Sequence, residues 1–325
     1  MDIRQLNAFR VVSQTGSITK AAAILGYSQS AVTSQIKKLE AVVRAPLFER
    51  RREGVRLTPG GERFLPYVTR LLRLSDEAMS VLAPKASLVG RMTIGASESI
   101  TTYRLPDVIR HFHSAHPDVR LTLRTFHEGP AHMAEALARG DIDVAVTHCV
   151  DPGPEGAQSK RLATEPLTLV ATPEHPLAER DVVTSADLCG TRTLIVQATC
   201  VYDVALRTAL PADRTVAPFQ FGTIEAVKIA ARSGQGVALL PKVAVTDQLL
   251  AGELVELCWA SPVTVSSYAL WGENWEESRL LTALDAQLDR VAGEWHRPDR
   301  GPHGGIVPRI PSPSTGSRYP GLVSG

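Results

Sequence analysis

The 325-residue sequence has few cysteines, few aromatic residues and no long apolar run. Its four cysteines, Cys149, Cys189, Cys200 and Cys258, stand apart. They lack the close pairing of a zinc site and the density of a secreted disulfide scaffold, so a reducing cytoplasm fits. Apolar stretches such as Val237-Ala238-Leu239-Leu240 fall far short of the ~18 to 20 residues that a membrane span needs. The start, Asp2-Ile3-Arg4, opens an amphipathic pattern and not the apolar run of a secretory signal. These absences point to a soluble cytoplasmic protein with no membrane partner. Also missing are Gly-x-x-x-x-Gly-Lys, Gly-x-Ser-x-Gly, His-Glu-x-x-His and a Gly-x-Gly-x-x-Gly after a strand. Neither an enzyme nor a cofactor is therefore expected. His111, His113 and His116 resemble a metal cluster only by proximity, because His111 and His113 fall on different sides of one helix.

The length suggests about two domains. Net charge is +1 for the whole chain, yet residues 1–86 hold 14 Lys and Arg against 7 Asp and Glu, whereas residues 87–296 hold 17 against 26. The first segment is suited to a polyanion, with a solvated basic surface as the alternative. The order of its residues favours the polyanion. Apolar positions from Ile3 predict an amphipathic helix ending near Gly16. Ser17 then caps a short helix, Ile18 to Leu25, Gly26 lets the chain reverse, and Ser28 caps a third helix from about Gln29 to Val43. Ala22, Gly26 and Val32 have the spacing of a helix-turn-helix.

On the third helix Val32, Ile36 and Leu39 form a buried stripe, and Gln29, Ser30, Thr33, Ser34 and Lys37 share the opposite face beside the cap Ser28. Amide, hydroxyl and ammonium groups presented together suit the base edges of a major groove and its flanking phosphates. A β-wing is expected over Pro46 to Leu57, its Arg50, Arg51, Arg52 and Arg56 meeting backbone phosphates or a minor groove.

Four stretches of the chain resemble the DNA-binding domain of the LysR-type transcriptional regulators. They are Thr15-Gly16-Ser17-Ile18-Thr19-Lys20-Ala21-Ala22, Ser28-Gln29-Ser30-Ala31-Val32-Thr33-Ser34-Gln35-Ile36-Lys37-Lys38-Leu39-Glu40, Pro46-Leu47-Phe48-Glu49-Arg50 and Leu57-Thr58-Pro59-Gly60-Gly61. Two positions depart from the family pattern: Ser34 stands where Arg is frequent, and Arg44 where Gly usually ends the recognition helix.

A long helix is expected from Gly60 to about Ala83, behind Thr58 as cap and Pro59 in the first turn. Leu65, Val68, Leu72, Ser75, Met79 and Leu82 repeat at alternating threes and fours, a seam for a partner helix or for the protein's own second domain. The resemblance implies a linker helix that makes dimers, reading a site of two-fold character.

From Leu88 short β-rich runs alternate with amphipathic helices, which predicts an α/β fold with mainly parallel strands. The expected strands cover 92–96, 119–126, 142–147, 167–171, 193–197, 216–221, 237–240 and 263–271; the helices cover 105–116, 131–139, 202–210, 224–233, 243–251 and 276–291. The resemblance continues through Leu105-Pro106, His116-Pro117-Asp118-Val119, Gly140-Asp141-Ile142-Asp143 and Gly234-Gln235-Gly236-Val237-Ala238-Leu239-Leu240-Pro241. It implies a two-lobed domain like the periplasmic binding proteins, with an effector between the lobes. Beyond the strand ends lie Ser97, Ser99, Thr125, Thr147, Thr199, Cys200, Tyr202, Phe221 and Thr223. Each hydroxyl alone reads as a helix cap; as a set they describe a cleft. Some relatives carry Gly-Cys-x-Tyr-Arg where this chain has Thr199-Cys200-Val201-Tyr202-Asp203, and Glu98 adds to the loss of a fork for a carboxylate effector.

The sequence therefore divides into a winged helix-turn-helix (1–58), a linker helix (59–87), an effector-binding domain (88–296) and a disordered tail (297–325). The expected protein is a homodimeric or homotetrameric regulator that binds double-stranded promoter DNA under control of a small molecule, with RNA polymerase as a further partner. A thiol switch at Cys200 and an effector-independent DNA binder are the alternatives.

Overall fold

The computed structural model describes residues 1–51, 54–81, 88–127, 129–151, 158–210, 218–259, 263–272, 275 and 278–295. Asp2 opens α1 (Ile3–Thr15) with a capping box: its carboxylate accepts from the Gln5 N–H and the Gln5 amide accepts from the Asp2 N–H. Gly16 ends α1 in the left-handed region, Ser17 caps α2 (Ile18–Leu25), Gly26 ends that helix, and Ser28 caps α3 (Gln29–Val43). The wing is an antiparallel pair, β1 (Phe48–Arg51) with β2 (Gly54–Leu57). The Thr58 hydroxyl accepts from the Gly61 N–H and so caps α4 (Pro59–Val81).

One hydrophobic core joins these elements, and Leu65, Val68 and Leu72 of α4 lie buried in it against Leu6, Phe9 and Leu39. This corrects the seam read from the sequence, because those three side chains are spent inside their own unit. The apolar stripe that α4 leaves outside is Tyr67, Leu71 and Leu74, respectively 62%, 38% and 62% exposed. The seam side chains of Met79 and Leu82 lie outside the described residues, as does the tail expected over 297–325.

The remaining chain forms two lobes. The first contains β3 (Gly90–Ser97), α5 (Glu98–Tyr103), α6 (Leu105–Ala115), β4 (Val119–Phe126), α7 (Pro130–Arg139), β5 (Val144–Val150) and β6 (Gln158–Thr164). The second contains β7 (Leu167–Ala171), β8 (Thr193–Ile195), α8 (Val201–Ala209), β9 (Pro218–Gln220), α9 (Ile224–Arg232), β10 (Ala238–Pro241), α10 (Lys242–Leu250) and β11 (Val255–Leu257). The chain then returns to the first lobe as β12 (Val265–Trp271) and α11 (Arg279–Trp295).

The first lobe's sheet runs β4-β3-β5-β12-β6. Phe112 of α6 packs with Leu284 and Leu288 of α11 in one core, and Met133 and Ala136 of α7 pack on Phe126 and Ile142 in another. In the second lobe β7 lies between β10 and β11, and β8 pairs with β9. The expectation of mainly parallel strands is corrected. β3 is parallel to β4 and β5, and β8 to β9, whereas β12 is antiparallel to both β5 and β6 and β7 to both β10 and β11. In the first sheet the return crossing is the reason, since β12 re-enters it from the opposite end. Three elements had no sequence-level counterpart. β6 is a polar edge strand, so it lacks the apolar alternation that marks a half-buried one, and α5 and β11 are short. Among the described residues no helix is long and apolar enough to cross a membrane.

Candidate functional sites in the N-terminal unit and between the lobes

Helix α3 buries Val32, Ile36 and Leu39 and brings Gln29, Ser30, Thr33, Ser34 and Lys37 together, with Lys38 and Ala41, around one shallow open surface. Ser28 is engaged as the cap: its hydroxyl accepts from the Ala31 N–H at 3.2 Å and lies 3.0 Å from the Ser30 hydroxyl. Thr33 donates to the Gln29 carbonyl at 2.8 Å, which fixes its rotamer and leaves its oxygen lone pairs to act as acceptors.

The wing is tied at one end to α3 and at the other to the end of α1. The Glu40 carboxylate accepts from the Leu47 and Phe48 N–H groups at 2.8 and 3.2 Å. At the other end the Val55 N–H donates to the Gly16 carbonyl at 2.9 Å, and a side chain at Gly54, with φ +137°, would run into that carbonyl. The wing is thereby fixed to the helix-turn-helix through both α1 and α3. Arg50 and Arg56 are exposed, Arg51 is paired with Glu49 at 2.6 Å, and Arg52 lies outside the described residues. Sequence reasoning missed Glu40 as the tie, and nothing in the local pattern marks it.

Between the lobes, Ser97 ends β3 with its hydroxyl buried and without a hydrogen-bond partner. Glu98 Oε1 accepts from the Ile224 N–H at 3.1 Å, reaching from one lobe to the first turn of α9 in the other, while Oε2 is buried with no partner. Burial raises the Glu98 carboxyl above its ordinary range, opposed by the Ile224 N–H and the nearby His127. Thr125 is exposed at the end of β4 with its hydroxyl 3.5 Å from that of Thr101. The loop before α7 faces the second lobe, because a Cβ at Gly129 would lie 3.9 Å from the Thr199 carbonyl. Thr199 and Thr223 are exposed, and the Thr223 hydroxyl caps α9 by accepting from the Ala226 N–H. Phe221 is half-buried against the second lobe's core. Cys200 is half-buried at the start of α8, and burial pushes its thiol up to about 11 despite the backbone N–H groups of Tyr202 and Asp203.

The other three predicted cleft residues are internal. Thr147 is 1% exposed, and its hydroxyl reaches the His148 carbonyl at 3.5 Å. Ser99 and Tyr202 join a buried polar chain across the lobes. The Tyr202 hydroxyl is 2.8 Å from both Ser99 Oγ and His148 Nδ1, Ser99 Oγ is 3.1 Å from the same nitrogen, and His148 Nε2 is 3.0 Å from Glu165. Arg104 completes the chain with a two-pronged contact to Glu165 at 2.5 and 3.1 Å. Burial works against the Glu165 charge, but the hydrogen bond and charge of His148 and the Arg104 guanidinium outweigh it and hold the carboxyl below its usual range. Burial raises the Tyr202 hydroxyl, which stays a donor. Sequence reasoning missed His148, Glu165 and Arg104. The signal for His148 was an imidazole inside the mostly apolar run Val144 to Val150.

The sequence matches two family models: "Bacterial regulatory helix-turn-helix protein, lysR family" over residues 3–62 and "LysR substrate binding domain" over residues 85–292. A similar curated protein is YwqM of Bacillus subtilis (strain 168), an uncharacterised HTH-type transcriptional regulator, 31% identical over 288 residues that span 88% of this chain and 98% of the relative. Among solved structures, a full-length OxyR variant from Pseudomonas aeruginosa superposes with a TM-score of 0.71 at 22% identity, over 89% of this chain and 94% of that one. Full-length LysG from Corynebacterium glutamicum with bound effector Arg gives 0.60 at 26% identity, over 90% and 99%.

Proposed function

This chain belongs to the LysR family of DNA-binding transcriptional regulators, and we propose that a small molecule held between its lobes sets how it grips promoter DNA. In this reading residues 1–58 bind DNA, residues 59–87 pair two subunits, residues 88–296 hold the effector, and the bound dimer or tetramer acts on RNA polymerase in the cytoplasm. The observation that carries the DNA half is the open polar face of α3, with Gln29, Ser30, Thr33, Ser34 and Lys37 on one surface. Gln29 and Thr33 reach base edges, Ser28, Ser30, Ser34 and Lys37 share bases and phosphates, and Arg50, Arg51, Arg52 and Arg56 meet the backbone or minor groove. The Tyr67, Leu71 and Leu74 stripe of α4 is the surface for pairing.

For the effector half, the polar groups of Ser97, Thr125, Thr199 and Thr223 and the flank of Phe221 and Cys200 face the ligand, and Ser99, Thr147 and Tyr202 back them. A thiol switch at Cys200 is the weaker account, because a thiol raised to about 11 stays protonated at neutral pH, the reverse of a reactive one. The likeness to OxyR is one of fold.

The test is fluorescence anisotropy with DNA from immediately upstream of the protein's own gene against a scrambled duplex at ~150 mM salt. Preferential binding as an even-numbered oligomer is expected. Thr33→Ala then narrows the difference between the two duplexes, whereas Arg56→Gln weakens both alike and reduces the salt slope by about 1. Equal losses on both duplexes for Thr33→Ala would remove the assignment of α3 as the reader.

A further inference from the structure

The cleft carries an unspent acceptor. Glu98 spends only Oε1 on the tie to Ile224, and its second oxygen, Oε2, is buried without a donor. The Ser97 hydroxyl one residue earlier is buried and also without a partner. A buried carboxylate oxygen lacking a donor costs more than a pair satisfied on both sides, so the arrangement is completed by a group that donates. His127 lies close enough for its charge to favour ionised Glu98, yet it leaves Oε2 without a hydrogen bond. Among the described residues the neighbouring lysine and arginines are committed to other acids. Lys228 binds Glu225 at 2.9 Å, whose other contact is the Tyr103 hydroxyl; Arg104 holds Glu165; Arg207 binds Asp203 at 2.8 Å. Around the mouth Thr101, Thr125, Thr199 and Thr223 supply hydroxyl groups, which accept as readily as they donate. A carboxylate entering here would meet the Glu98 charge, with these guanidinium groups already engaged.

Resting on the reading of this cleft as the effector site, we propose that the effector's buried end is a protonated amine or guanidinium seated on Glu98 and Ser97. The ammonium or guanidinium N–H groups donate to Glu98 Oε2 and Ser97 Oγ, and the Glu98 Oε1 contact to the α9 turn then joins the ligand to the second lobe. The charge that burial disfavours in the free protein acquires a hydrogen-bonded counter-charge only when the ligand is present, so closure and binding reinforce one another.

The test uses the full-length protein, isothermal titration calorimetry and thermal unfolding, with three probes: L-arginine, agmatine, which has no carboxylate, and glutarate, which has no amine. Glu98→Gln keeps an acceptor for the Ile224 N–H while removing the charge, and Glu174→Gln at an exposed site away from the cleft is the control. Both amine probes are expected to bind the parent and the control alike, and to weaken about 30-fold in Glu98→Gln, the weight of one charge-assisted hydrogen bond. Equal amine binding by parent and Glu98→Gln overturns the seat. Glutarate binding alone, kept or improved in Glu98→Gln, overturns the amine class and leaves the cleft reading in place. Silence from all three also overturns the amine class; the cleft reading is judged separately, by whether a small-molecule extract of the source cells changes the promoter complex.

Discussion

Breaking the buried chain at its charged end should cost several times more than breaking it at its neutral end. Arg104, His148 and Glu165 side chains are respectively 10%, 2% and 1% exposed, so an orphaned charge among them has no water to turn to. His148→Ala removes a hydrogen bond to an ionised acceptor and leaves Glu165 on Arg104 alone, which costs about 3 kcal/mol. Tyr202→Phe removes a neutral hydroxyl, and Ser99 and His148 remain within 3.1 Å of each other, so no group is orphaned and the loss is about 1 kcal/mol. For a domain of this size 1 kcal/mol moves the melting temperature by roughly 2–4 °C. Differential scanning calorimetry of the full chain should therefore show the sensing domain's transition falling by roughly 2–4 °C for Tyr202→Phe and by roughly 6–12 °C for His148→Ala. Arg104→Met should be severe alone and partly rescued by Glu165→Gln, because the second change removes the stranded charge. Equal shifts for Tyr202→Phe and His148→Ala, or a double variant worse than Arg104→Met, would refute this account of the chain.

Arg44 ends α3 with φ +54°, the one non-glycine residue at positive φ among the described residues. Arg44→Gly should stabilise the N-terminal unit by about 0.5–1 kcal/mol, read by urea unfolding, whereas Arg44→Ala should gain nothing because it keeps the strained Cβ. Leu74→Asp places a charge on the exposed α4 stripe and should reduce the sedimentation mass to that of one subunit with the melting temperature little changed; an unaltered mass would move the pairing surface elsewhere. Because the folded-state Glu165 carboxyl is held below the ordinary 4.5, its contribution is complete above that pH and fades as the pH falls through the lowered value. Calorimetry between pH ~6 and ~3 should show acid destabilisation that Glu165→Gln flattens.

The helix ends of the N-terminal unit were largely legible, because Gly16, Ser17, Gly26 and Ser28 act within their own turn; the Asp2–Gln5 capping box was not read. The α4 seam was misread for a related reason. Its spacing was right, but two apolar stripes share the helix, and periodicity alone does not say which one the protein's own core takes. In the second half, strand positions followed from apolar runs, whereas strand direction did not, since it depends on where the chain crosses between lobes. The cleft was half legible. Ser97, Thr125 and Thr199 sit at the ends of regular elements, as topology predicts. The Ser99-His148-Glu165 chain joins residues up to 66 positions apart through side chains alone, and no local window contains it.

How the cleft reaches DNA is constrained by what α4 touches. Thr69 of α4 packs against Gly140 at the end of α7, its hydroxyl shared between its own Leu65 carbonyl at 3.1 Å and the Arg139 carbonyl at 3.3 Å, and α7 packs on the first lobe's sheet. The first lobe is thus docked on the helix that carries the reading head, whereas the second lobe meets the first through the crossing strands and the groups facing the cleft. A ligand that binds both lobes alike in the open and closed arrangements shifts nothing. Any such shift must involve the contacts that cross between the lobes, such as Glu98 to Ile224 and Tyr202 to Ser99. Under the proposed effector reading, the second lobe is the part expected to shift relative to the DNA-reading head. On the proposed pairing of two chains through α4, effector response should be lost in the Leu74→Asp monomer even where its ligand binding is intact; a monomer that keeps the response would refute this coupling.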